Sequence, residues 1–142
     1  MILKMFMTLL LFGSLFALGW VGNMYYHENL VGMSGIGNES DLFGYSRKLS
    51  NEVYGFWKWN MSNIGNDLTI EELKEEGGVC WHYADYYFNK IVNETDFYVK
   101  KVRIKSNETI SHEFTVVSNE EGYCVLDQIR NWCFKFGDIT NE

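Results

Sequence analysis

The chain has 142 residues and a mass of 16.6 kDa, which points to one domain. At 46% apolar, 17% aromatic and 22% charged it is neither disordered nor collagen-like. A net charge of −7 excludes a general nucleic-acid binder, which needs a basic face to neutralise phosphates. Three cysteines exclude a chain stapled by disulfides alone: one must be free, metal-bound or paired to another molecule.

The charges are segregated. Only Lys4 among the basic residues precedes Arg47, and no acidic residue precedes Glu28. From Met5 to Tyr26 there is no charged side chain at all. That run is long enough for a helix across a hydrocarbon core of about 30 Å. Two readings compete for residues 1–26. One is a membrane anchor, with Trp20, Tyr25 and Tyr26 as interfacial aromatics. The other is a secretory signal, with Ala17-Leu18-Gly19 as a candidate cleavage site. A buried helix is the remaining option. Both membrane readings place residues 27–142 on the outer side, either anchored or secreted. Four N-x-[ST] sequons, at Asn38, Asn60, Asn93 and Asn107, fit an exported, glycosylated domain. An Asn-rich chain also collects such triplets by chance.

Residues 27–41, with Gly32, Gly35 and Gly37 and no apolar periodicity, read as a Gly-rich linker before a domain at 42–142. Asp41 is placed to cap a helix. Apolar residues at Leu42, Tyr45, Leu49, Val53 and Phe56 step by three and four and predict an amphipathic helix over 42–59. Thr69 followed by Glu71 and Glu72 caps a short helix over 70–76, which Gly77-Gly78 ends. The glutamates at 71, 72, 75 and 76 read as a solvated face. A second amphipathic helix follows to Val92, with Cys80, Tyr83, Ala84, Tyr87, Phe88 and Ile91 on one face.

The period then changes from 3.6 to 2. Residues 97–105, 110–117 and 123–128 read as strands, and 131–136 as a fourth. Lys101, Arg103 and Lys105 share one strand face, as a solvated stripe or a docking face for an anion. Helices followed by an antiparallel meander make the α+β pattern, with N-terminal helices packed on the sheet.

Cys80 follows two glycines and opens a helix, where unpaired backbone N–H groups and the helix dipole favour a thiolate. The two glycines leave room for a substrate backbone to approach. A small buried residue on the apolar helix face explains the same position equally well. His112 lies on a strand face with Phe114 and Val116, and Asp127 on the next strand with Tyr123 and Val125. Each alone is a core residue in need of a partner, because an unpaired buried carboxylate is costly. Side by side on adjacent strands they answer one another. A thiolate attacks an acyl carbon, an imidazole relays the proton, and a carboxylate orients the imidazole.

GGVCWHYADYYFNKI, SHEFTVV and GYCVLDQI in this order resemble the transglutaminase-like superfamily. Gly78, Cys80 and Ala84 match its G-x-C-x-x-x-A helix start. His112 and Phe114 match its H-x-[WF] strand, and Leu126-Asp127 its strand ending in an aspartate, without the proline that often follows. The resemblance covers about residues 60–136, and 42–59 resembles the family's upstream helix. It implies a papain-like core with Cys80 as nucleophile, His112 as general base and acid, and Asp127 as orienter. It also implies acyl transfer through a Cys thioester, as peptide or amide hydrolysis or transfer to an amine. The substrate would be a protein or peptide, with no cofactor or metal. The backbone N–H of Cys80 is one expected oxyanion donor. Trp57, Trp59 and Asn60 are candidates for a second. A catalytically inactive module at the cell surface that kept the fold is the alternative.

Two other cysteine arrangements compete. Cys80 and His82 with His112, Cys124 and Cys133 have the residue types of a zinc site, but side chains two apart on a helix diverge. If 127 pairs with 130 in a hairpin, Cys124 lies opposite Cys133, close enough for a disulfide in an oxidising exterior. Two buried free thiols are the alternative there.

Overall fold

The computed structural model describes residues 25–106 and 110–139, with side chains for 32–105 and 111–137. Residues 1–24 of the helix expected over 1–26 and the sequon at Asn107 lie outside this range, and Tyr25 and Tyr26 open a strand instead. Among the described residues, no helix is long and apolar enough to cross a membrane.

The described residues form three helices and a five-stranded antiparallel sheet. In chain order these are β1 (Tyr25–Ser34), α1 (Leu42–Phe56), a short 3₁₀ turn (Met61–Asn63), α2 (Ile70–Glu76), α3 (Cys80–Glu94), β2 (Tyr98–Ser106), β3 (Ile110–Ser118), β4 (Gly122–Asp127) and β5 (Arg130–Lys135). A 3₁₀ turn (Phe136–Ile139) follows. The strands lie in sequential order β1-β2-β3-β4-β5. This is the expected α+β arrangement, with helix and strand bounds within a few residues of the periodicity.

The caps hold as the sequence demands. The Asp41 carboxylate accepts from the Gly44 N–H at 3.0 Å. Thr69 and Glu72 close a reciprocal capping box. Leu42, Leu49 and Val53 from α1, Tyr83, Tyr87 and Ile91 from α3, and Val99, Val117 and Leu126 from the sheet are almost wholly buried. Each such aliphatic side chain is worth roughly 1.5–3 kcal/mol on burial. Exposed ion pairs such as Lys90–Glu94 contribute about 0–1 kcal/mol, so packing holds the helices on the sheet.

One expectation is overturned. Residues 27–41 are not a flexible linker. Tyr25–Ser34 pairs with β2, from Tyr25 opposite Ser106 to Ser34 opposite Tyr98, with a bulge between Asn29 and Gly32. The glycines serve close approach rather than freedom. A Cβ on Gly35 would lie 2.2 Å from the Thr95 carbonyl oxygen, and one on Gly37 2.0 Å from the Glu94 carbonyl carbon. Their N–H groups donate to Phe97 and Thr95 carbonyls at 2.7 Å each.

The predicted hairpin is present in register. Asp127 opposes Arg130 and Cys124 opposes Cys133. The two cysteines form a disulfide. Gln128 takes the left-handed conformation, φ 51°, that this tight turn requires of a residue poorly suited to it.

Candidate active site

Four element ends meet at one end of the sheet: the C-terminus of α1, the N-terminus of α3, the start of β3 and the end of β4. Cys80 is the first residue of α3 and 6% exposed. It is the free cysteine among the described residues.

The start of α3 is fixed by residues that hydrophobic periodicity did not single out. Val79 has no side-chain acceptor for capping, and His82 supplies it. Its Nδ1 accepts the Val79 N–H at 3.0 Å, so the proton sits on Nε2, which donates to the Asn66 carbonyl at 2.7 Å. His82 is 6% exposed. Both ring nitrogens are therefore engaged. With Cys124 and Cys133 bonded to one another, three of the five residues weighed for zinc are committed elsewhere.

The segment after α1 runs beside the glycines. Gly78 donates to the Lys58 carbonyl and Asn60 to the Gly78 carbonyl, at 3.0 Å each. The Tyr83 hydroxyl donates to the Lys58 carbonyl at 2.7 Å and accepts the Lys58 N–H at 2.9 Å. These glycines do not leave the room for a substrate that the sequence suggested. A Cβ on Gly77 would lie 2.3 Å from the Lys58 oxygen, and one on Gly78 2.7 Å from a Leu73 methyl. They let the α1–α2 connection pack against the start of α3.

His112 Nε2 lies 2.9 Å from Asp127 Oδ2. Asp127 thus takes one ring nitrogen, and Cys80 lies near enough to act on the ring electrostatically. The hydrogen bond to Asp127 and then the interaction with Cys80 raise the His112 pKa from 6.5 to about 10, against the opposing effect of burial. At neutral pH the ring is an imidazolium. The three residues singled out in the sequence are thus brought together.

Asp127 is positioned by its turn. The Tyr87 hydroxyl donates to the Gln128 carbonyl, and the Ser50 hydroxyl to the Ile129 carbonyl at 3.4 Å. Sequence reasoning took Tyr83 and Tyr87 as core residues, which their rings are. The signal missed is that a buried tyrosine hydroxyl needs a partner. Besides Ser46 Oγ, two buried side-chain atoms lack partners among the described residues, Asp127 Oδ1 and Trp57 Nε1. One is an acceptor and the other a donor, and both residues line one open cavity with Gln128, Ile129 and Arg130.

The basic stripe is neither solvated nor a docking face along its whole length. Glu113, 3% exposed, receives both Nε and Nη2 of Arg103, at 2.9 and 2.8 Å. Lys101 pairs with Asp85 and lies 3.8 Å from Glu113. A buried carboxylate is tolerated because two cations face it.

No family model matches the chain, and no curated protein or solved structure does. The geometry of the site therefore stands on its own.

Proposed function

We propose that this chain is a thiol-dependent acyl-transfer enzyme with a transglutaminase-like, papain-like core, displayed outside the cytoplasm by its N-terminal segment. Cys80 is the nucleophile, His112 the proton relay and Asp127 the orienter. The observation that carries the reading is the 2.9 Å His112–Asp127 hydrogen bond, with a free thiol at a helix N-terminus acting on the same ring.

Nδ1 of His112 takes the thiol proton as Sγ becomes the nucleophile. Attack of Sγ on a peptide or carboxamide carbonyl forms a tetrahedral oxyanion. The backbone N–H of Cys80 lies in the first helical turn, without an intrahelical acceptor, and is aligned with the positive end of the dipole. Trp57 and Asn60 come into question as a second donor on different grounds. The Trp57 indole N–H is buried without a partner, whereas the Asn60 amide already donates to the Glu76 carbonyl at 2.9 Å. Collapse of the oxyanion passes the Nδ1 proton to the leaving amine and leaves a thioester. Water or an amine then attacks the thioester, with His112 as base, and regenerates Cys80.

The test is turnover of peptide amides by the full chain, with and without a primary amine. Release of ammonia alone indicates hydrolysis, and amine incorporation indicates transfer. His112→Ala should lower either rate by roughly 10²–10⁴. A second reading, an inactive binding or structural module at the cell surface, is favoured by one observation: Cys80 is only 6% exposed. Absence of turnover together with failure of iodoacetamide to modify Cys80 in the native chain would select it.

A further inference from the structure

We propose that the end of the molecule carrying Cys80 and His112 rests against a lipid bilayer, with residues 59–64 seated in the bilayer interface. Trp59, Met61 and Ile64 are 45%, 55% and 51% exposed. Single exposed apolar residues are ordinary; three within six positions form a patch. Residues 59–66, WNMSNIGN, carry no charged side chain. The loop is not free to fold these side chains inward. It is tied to the start of the thiol helix through Asn60 and Gly78, and by the Asn63 amide donating to the Gly77 carbonyl at 2.8 Å. Indole at the interface with Met and Ile beside it is the composition that such a boundary favours.

The course of the chain identifies the occupant. The charge-free run from Met5 leads into β1 at Tyr25 with no spacer, because the expected linker is a strand. Tyr25 pairs with Ser106 and His27 with Ile104, and Ile104 pairs with His112. His27 and His112 therefore stand two strands apart in one row, about 10 Å at the usual strand spacing. A run inserted in a bilayer brings this end of the sheet, and the loop beside Cys80, to the membrane surface. Docking requires that the Asn60 sequon carry no glycan, which would disturb its bond to the Glu76 carbonyl and hold the loop away from lipid.

This extends the acyl-transfer reading to its substrate class. The acyl donor is one presented at a membrane surface, such as the juxtamembrane segment of another protein. Docking itself is tested without that chemistry. In the full chain carrying Cys80→Ser, Met61→Cys, Ile64→Cys or Ile36→Cys takes a nitroxide label, and the chain is reconstituted in phosphatidylcholine nanodiscs. Ile36 is 77% exposed and follows β1 at the opposite end of the sheet. Labels at 61 and 64 should show several-fold higher relaxation by oxygen relative to a water-soluble nickel chelate than the label at 36. Equal ratios at the three positions, failure to incorporate in the discs, or strong spin–spin broadening between labels at 61, the signature of a second copy, would each overturn docking. Loss of turnover in the unsubstituted chain with shielding intact would sink the enzyme reading and leave docking standing.

Discussion

Asp127 holds His112 by one ring nitrogen, with Cys80 acting on the same ring, although Asp127 and His112 come from different strands and fifteen positions apart in sequence. Their pairing depends on a two-residue turn whose backbone is anchored from beneath by Tyr87 and Ser50. The proton that such a pair retains has a thermodynamic signature.

His112 binds its proton more tightly in the folded chain, pKa about 10, than at its ordinary 6.5. A raised folded-state pKa stabilises fully below the unfolded value and loses its effect as pH rises through the folded value. The urea midpoint should therefore include a contribution present at pH 6 that declines between about pH 6.5 and 10. Asp127→Asn should flatten that decline. The size will be modest, because the His112 side chain is 38% exposed and solvent screens the pair. An unchanged pH profile in the Asn variant would refute the assignment.

Without reductant, iodoacetamide should add one group per chain, at Cys80, since Cys124 and Cys133 are joined. At pH 6 the reaction should slow by about tenfold or more in His112→Ala, because only a thiolate reacts and the imidazolium sustains it. Peptide mapping reads both points. Equal labelling in the two proteins would show that the thiol is not activated.

The disulfide closes a loop with a sequence separation of 9. Chain-entropy arguments give such a closure about 3 kcal/mol. Cys124→Ser with Cys133→Ser should lower unfolding stability by that order. It should also broaden the amide resonances of Gln128 and Ile129, since the same hairpin carries the Asp127 turn. Sharp, unshifted turn signals would mean that Tyr87 and Ser50 suffice.

Gly77→Ala should cost more than Gly78→Ala. At Gly77, φ 80° and ψ 172° suit glycine alone, and the added methyl meets a backbone carbonyl that cannot turn aside. At Gly78 the nearest atom is a Leu73 methyl, which can turn aside, while His82, held between Val79 and Asn66, must give slightly, at roughly 1–3 kcal/mol in all. Thermal melts of the two variants rank them directly, and the opposite order would contradict the packing described.

Much of this was legible in the sequence because it is local. Apolar steps of three and four placed α1 and α3, Thr69 with Glu72 announced its own cap, and hairpin arithmetic from Asp127 and Arg130 put Cys124 opposite Cys133. His112 and Asp127 were found because each lacked a partner. What stayed hidden involves distant partners. Residues 27–41 read as a linker because Gly35 and Gly37 make room for Thr95 and Glu94, some sixty residues later. His82 reads as a helix residue because nothing nearby shows that Val79 cannot cap. The buried Glu113 beneath Arg103 is visible only once β2 and β3 are paired in register.

The place of β1 also governs the order of assembly. It is the first strand described, yet its partner, Tyr98–Ser106, lies beyond all three helices. As the polypeptide is synthesised or exported, the leading strand must wait unpaired until β2 arrives, and closing so long a loop is slow. Meanwhile α1 and α3 can meet, and β2 to β5 can zip through short turns. The segment nearest the apolar run is thus the last to lock, and a chain interrupted before residue 98 exposes a bare strand to whatever edge it meets first.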